Sequence, residues 1–144
     1  MKAFQLEEVI SAPQSDVFGA ISDLTGSHEF MPGIVSSVKL TDGPIGVGTV
    51  FRETREIRGK QSSADLTVTE YQPHRTFGIG VEAEGIAVNY LYHLAEDQSG
   101  TRVTWVCELE AGGLRRMMLP MVAGIMKKED GDHLERLKAH LEQR

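Results

Sequence analysis

The chain is short of cysteine. Cys107 is the single thiol in 144 residues, so no internal disulfide can brace the fold, and a reducing cytoplasm is the expected compartment. Cys107 sits in a strand-like apolar alternation, where a buried inert thiol is expected rather than a nucleophile. Long apolar runs are missing too. None approaches the ~18 residues of a membrane span, so no integral membrane segment is expected. Met1 to Glu8 has no apolar core of signal-peptide length, because Glu7 and Glu8 interrupt it early. Positive charge is in deficit, with 15 Lys and Arg against 21 Asp and Glu and a net charge of −6. That disfavours nucleic acid as a partner, since phosphate neutralisation supplies most of such affinity. No His, Cys and carboxylate set has zinc spacing. Glu129 and His133 make a poor pair, and His140 lies two turns further on, roughly 10 Å along a helix. No metal and no cofactor is expected. Gly43-x-x-Gly46-x-Gly48 lies between strands and opens no helix, so it is a flexible turn rather than a phosphate loop. Repeats, linkers and low-complexity segments are absent. The length suits one domain over residues 1–144.

What is present is an ordered change of period. Phe4 to Ser11 alternates as a first strand. Pro13 suits a helix start, Asp16 favours its first turn, and Val17, Phe18, Ile21 and Leu24 follow at helical spacing. Thr25-Gly26-Ser27 ends that helix, and His28 to Met31 forms a further short turn before Pro32-Gly33. The period then becomes two. Strands are expected over Val35–Thr41, Thr49–Ile57 and Ser62–Tyr71. Three more run around Phe77–Ala83, Val88–Leu94 and Val103–Leu109, with turns at Asp42-Gly43-Pro44, Arg58-Gly59-Lys60, Gln72-Pro73-His74 and Asp97 to Gly100. Turns this short join antiparallel neighbours.

Gly113 to Arg144 reads as one long helix, roughly 45 Å at about 1.5 Å per residue. Its second half carries a narrow stripe of Leu134, Leu137 and Leu141. Its first half is wider. Leu114, Met117, Met118, Met121, Val122, Ile125 and Met126 spread over roughly 180° of the wheel, whereas packing on one sheet needs little over 100°. The surplus arc must face a second element, a partner, a membrane or a ligand. Its methionines suit a surface that repacks around variable apolar shapes. Arg115-Arg116 and Lys127-Lys128 flank it, either as a solvated face or as a lure for anionic lipid heads. A one-sided apolar sheet must be covered, and this helix is the element long enough to cover it. A curved sheet gripping a straight helix leaves room for a cavity.

The chain resembles the START-like (SRPBCC) superfamily, in its polyketide cyclase/dehydrase and lipid-transport branch. The resemblance runs over essentially all of the chain. It is carried by Ala12-Pro13-Gln14-Ser15-Asp16-Val17-Phe18 with Ile21-Ser22-Asp23-Leu24, by Phe30-Met31-Pro32-Gly33, by Gly43 to Glu53, by Val68 to Pro73, by Gly100 to Trp105, and by Leu134 to Lys138. It implies an α+β helix-grip fold: a curved seven-stranded antiparallel sheet wrapped around a long C-terminal helix, with two short helices after the first strand. It also implies a tunnel for a hydrophobic or aromatic ligand. Where the family often has Trp before the short-helix proline, this chain has Phe30, a smaller plug.

Candidate tunnel residues are Phe30, Phe51, Glu53, Arg55, Tyr90, Tyr92, Trp105, Met118, Met121, Val122, Ile125 and Met126. Glu53 and Arg55 share parity with Phe51 and Ile57; the other register would put Arg52, Thr54 and Glu56 inside. Tyr90, Tyr92 and Trp105 bring large apolar bodies with one polar tip each, which suits a cavity wall or a plain core. His133 is the weak catalytic candidate, oriented by Glu129 if it points at the sheet, and a partly exposed surface histidine otherwise. Three functions remain open: binding or carriage of a lipid-like or polyketide-like small molecule, a cyclase or dehydratase using a tunnel acid/base, and a homodimeric interaction module without ligand.

Overall fold

The structure is a computed structural model describing residues 1–143. Strands β1 (Lys2–Ile10), β2 (Ile34–Lys39), β3 (Val50–Ile57), β4 (Lys60–Gln72), β5 (Thr76–Ala83), β6 (Ile86–Asp97) and β7 (Gly100–Glu110) form one antiparallel sheet in the order β1-β7-β6-β5-β4-β3-β2. Helix α1 (Gln14–Ser22) and a 3-10 helix over Leu24–Glu29 bridge the two edge strands. The C-terminal arm comprises a 3-10 turn over Gly113–Met118, α2 (Leu119–Asp130) and α3 (His133–Glu142). Arg144, the last residue of the expected helix, lies outside the described residues. The helix-grip architecture is the one the sequence implied.

Two details differ from expectation. The short helical element after α1 begins earlier than His28, because the Asp23 carboxylate accepts from the Thr25 backbone N–H at 3.1 Å and its hydroxyl at 2.6 Å. That caps a new turn directly after Ser22. The C-terminal arm is long but jointed at Gly131–Asp132. A Cβ on Gly131 would stand 2.4 Å from the Lys127 carbonyl oxygen, so the close approach of the chain there requires glycine. Leu119, Ala123, Leu134, Leu137 and Leu141 are the buried residues of α2 and α3, and both helices pack against β1.

Alternation along the strands builds the core. Phe51, Val68, Phe77, Val103, Cys107 and Leu109 are fully buried on the concave face, with Val17 and Phe18 of α1 closing one end. Each such apolar side chain contributes ~1.5–3 kcal/mol by leaving water. Gly78 sits where a Cβ would stand 2.8 Å from Thr69 Oγ1 and 2.9 Å from Leu91 Cδ2. Its missing side chain leaves room for Thr69 of β4 and Leu91 of β6 to approach across β5 on the convex face. The register slips between Lys2 and Phe4 on β1, between Ile34 and Ser36 on β2, and between Val68 and Glu70 on β4. Such bulges bend a sheet and deepen its twist. Polar ties fix α3 to β1: Lys138 Nζ donates to the Val9 carbonyl at 2.6 Å, and the Ser11 N–H to Glu142 Oε2 at 2.9 Å.

The joint makes a stability prediction. Gly131→Ala should lower the urea midpoint, because its Cβ meets backbone that cannot step aside. Gly124→Ala, with no atom within 4 Å of the new Cβ, should raise stability by about 0.5–1 kcal/mol. Equal responses of the two variants would show that the joint is not sterically imposed.

Candidate functional site

The helices lean on the β1 side of a strongly curved sheet, and a cavity of about 460 Å³ opens between them and the remaining strands. Its floor is Leu66 of β4, Ile79 and Val81 of β5 and Val88 of β6. Val122 and Met126 of α2 roof it, and Phe30 and Met31, just beyond the 3-10 helix, form its end wall. Polarity concentrates at the joint end, where Glu53, Arg55, Tyr90, Tyr92, Glu129, Asp130 and His133 also line it. A more open, polar trough on the convex face is walled by Arg52, Asp65, Thr67 and Asn89. There Arg52 and Asp65 form an exposed bidentate pair at 2.8 and 3.2 Å, of little energetic weight.

An aromatic stack forms one wall. Tyr92 pairs with Trp105 across β6 and β7, and the ring of Trp105 stacks on Tyr90 and Tyr92 at centroid distances of 5.7 and 5.8 Å. Phe4 meets the indole edge-on at 4.9 Å, and the His133 ring lies 4.7 Å away. Trp105 Nε1 is buried with no hydrogen-bond partner among the described residues, inside a tightly packed cluster. The Tyr92 hydroxyl is 2.9 Å from His133 Nε2, and His133 Nδ1 is 3.4 Å from Met31 Sδ. The tautomer that satisfies both contacts carries its proton on Nδ1 and accepts from Tyr92 at Nε2, because a thioether only accepts. Burial, reinforced by the Arg55 charge, pushes the imidazole down to about 4. Burial, followed by the Asp130 charge, raises both tyrosine hydroxyls above the ordinary phenol range. Near neutral pH the stack is an uncharged set.

The charged groups stand beside it. The register of β3 turns Glu53, Arg55 and Ile57 inward and Arg52 outward. Arg55 Nε donates to Glu53 Oε1 at 2.7 Å, and its Nη1 lies 3.6 Å from Asp130 Oδ1. Tyr90 donates its hydroxyl proton to Asp130 Oδ2 at 3.2 Å. Burial works against the guanidinium charge, but Glu53 and then Asp130 outweigh it and hold Arg55 above its ordinary value. Asp130 therefore ties the last residue of α2 to β3 and β6 at once.

Of the residues singled out from the sequence, Phe30, Glu53, Arg55, Tyr90, Tyr92, Trp105, Val122, Met126 and His133 meet around this cavity. Four of the others do not. Phe51 is fully buried core outside the lining. Met118, Met121 and Ile125 point outward, at 46 %, 59 % and 50 % exposure, so the expectation that they line the tunnel is corrected. The reason is rotational: α2 turns Leu119 and Ala123 to the sheet, which sends Met121 and Ile125 to the opposite face. Leu114 and Met117 are exposed beside them. Asp130 was missed, although a signal existed. Val122, Met126 and Asp130 follow one another at four-residue intervals, a single row along a helix. No hydrogen bond links Glu129 to His133; Tyr92 and Met31 orient the ring instead. Among the described residues no three His, Cys, Asp or Glu side chains are placed to hold a metal ion, and no helix is long and apolar enough to cross a membrane.

A curved antiparallel sheet closed by a C-terminal helical arm over an aromatic-walled cavity defines the START-like, helix-grip class of protein. Residues 1–142 match the family described as polyketide cyclase / dehydrase and lipid transport, and the chain belongs to that family. Comparison with curated proteins finds no match. Among solved structures, Ara h 8.0201 superposes with a TM-score of 0.78 at 17 % identity, over 98 % of this chain and 97 % of that one. The di-domain ARO/CYC StfQ from the steffimycin biosynthetic pathway gives a TM-score of 0.77 at 11 % identity, over 98 % of this chain and 50 % of that one. TTHA0849 from Thermus thermophilus gives 0.73 at 17 % identity, over 95 % and 94 % of the two chains. At these identities the likenesses establish the fold.

The depressed His133 pKa makes a pH prediction. The unfolded chain binds a proton near the ordinary value of 6.5, the folded one only near 4. Stability from this group is therefore intact above about 6.5 and falls as pH drops towards about 4. NMR titration should find the ring neutral at pH 6. His133→Gln should flatten that part of the stability profile, and a ring titrating at its ordinary value would refute the buried placement.

Proposed function

We propose that the protein binds and carries a small hydrophobic or aromatic molecule between its sheet and C-terminal arm. The observation that carries this reading is the cavity itself. At about 460 Å³ it falls within the range of small-molecule sites, and its apolar floor ends in a small set of polar side chains. That is the usual division between a surface that binds the body of a ligand and groups that orient it. The flexible apolar roof of Val122 and Met126 suits ligands of varied outline.

A second reading, a cyclase or dehydratase acting on a polyketide-like chain, draws support from the Tyr92–His133 pair beside the cavity. A ring that keeps its proton on Nδ1 and protonates only near pH 4 is a weak base and no acid at neutral pH. With its Nε2 lone pair already taken by Tyr92, it holds a geometry more readily than it moves a proton. Binding is therefore the preferred function.

The reading is tested on protein purified without detergent. Native mass spectrometry should show a non-covalent adduct, released on denaturation, or uptake of the neutral dye Nile red near one equivalent. Met126→Trp, which fills the roof side of the cavity, should fold and lose most of that uptake. A protein that is empty and takes up no dye, or one whose uptake survives in Met126→Trp, would remove the proposal. Turnover of a polyketide-like substrate that vanishes in His133→Gln would establish the second reading.

A further inference from the structure

The charges around the cavity are unbalanced in a way that bears on its ligand. Among the described residues four carboxylates line it, from Glu53, Glu84, Glu129 and Asp130, against one guanidinium, from Arg55. Arg55 has no unclaimed charge to offer. Glu53 holds it at 2.7 Å and Asp130 faces it at 3.6 Å. The two carboxylates are the better shielded members of this trio, with side-chain exposures of 12 % and 15 % against 40 % for Arg55. The inner group therefore carries a surplus negative charge close to the apolar wall. Glu84 and Glu129, both exposed, add theirs at the rim. His133 cannot compensate, because it is neutral and its ring nitrogens face Tyr92 and Met31.

Glu53 and Tyr92 also leave hydrogen-bond acceptors free beside this surplus charge. Glu53 uses Oε1 for Arg55, and no hydrogen bond among the described residues engages its Oε2. The Tyr92 oxygen donates to His133 and keeps its acceptor capacity. The inner end thus offers acceptors for an incoming N–H or O–H. A carboxylate or phosphate entering there would meet like charge, in surroundings where water screens poorly. The Nη groups of Arg55 could donate to it, but only beside the two carboxylates that already face the same guanidinium.

We infer, on the basis of the binding reading above, that the cavity selects apolar molecules whose polar end is uncharged or cationic and donates hydrogen bonds, and that it rejects anionic amphiphiles such as free fatty acids. Hydroxyl, phenol and amine groups satisfy the acceptors of Glu53 and Tyr92 without disturbing Arg55. Anionic ends leave those acceptors unfilled and add a repulsion.

A matched series tests this directly: decylammonium, 1-decanol and decanoate at pH 7 and low salt. Trp105, the only tryptophan of the chain, lines the cavity and supplies the readout through its fluorescence, with calorimetry as a label-free check. Decanol and decylammonium should bind at least about tenfold more tightly than decanoate, the size expected for one like charge a few ångströms away in a partly shielded site. Glu53→Gln should narrow the gap by strengthening decanoate binding, since the inner group then loses its surplus negative charge. Glu129→Gln, at the rim, should do so more weakly. Decanoate binding as tightly as decanol to the wild-type protein would overturn the selection and leave the binding reading standing. Failure of all three to bind would overturn both. The wild-type comparison decides the matter even if a variant does not fold.

Discussion

Leu134, Leu137 and Leu141 of α3 are buried in the core, and Lys138 and Glu142 bond the same helix to the backbone at the end of β1. This attachment fixes where everything else can lie. A helix anchored at one side of a strongly curved sheet cannot also press on the far strands, so space opens above β3 to β6. Apolar side chains on the concave face there lie under Val122 and Met126 with a cavity between. Gly131 lets the arm bend between α3, fastened to the end of β1, and α2, held by Leu119, Ala123 and the Asp130 contacts to β3 and β6. The cavity is the geometric remainder of that anchoring.

The site places charged groups beside a neutral aromatic stack. Tyr90 belongs to both groups: its ring stacks on Trp105 and its hydroxyl donates to Asp130. Asp130 in turn faces Arg55 of β3. One short chain of contacts thus runs from the aromatic wall through the end of α2 to the opposite side of the cavity. Burial, then the Arg55 charge, keeps the His133 ring neutral, and its second contact is a thioether rather than a carboxylate. A carboxylate in the place of Met31 would have produced a charged imidazole and a different chemistry.

The order of elements, the antiparallel pairing and the inward parity of β5, β6 and β7 were legible in the sequence, because strand alternation and turn chemistry are local signals. So were the roles of Tyr90, Tyr92 and Trp105 as residues of one face. The register of β3 was not. Phe51, Glu53 and Arg55 alternate with Arg52, Thr54 and Glu56, and hydrophobicity barely separates the two faces; pairing with β4 decides it. The outer methionines misled for a related reason. A wheel shows how wide an apolar arc is, but its rotation against the sheet depends on which few residues fit the surface, here the small Ala123 and Leu119. The joint at Gly131 was invisible as a steric fact, since only the folded chain brings the Lys127 carbonyl against that position.

The slips of register on β1 and β2 have a further consequence. These two strands are the open ends of the sheet, and a straight open end invites another polypeptide to continue the ladder. Here each is broken, between Lys2 and Phe4 and between Ile34 and Ser36. On β1 the Val9 carbonyl already accepts from Lys138. The irregularities that help curl the sheet also interrupt each rim near the start of its strand. A molecule built around a cavity thus carries, at the start of each open rim, a break that disfavours continuation of the ladder along its hydrogen-bonding direction.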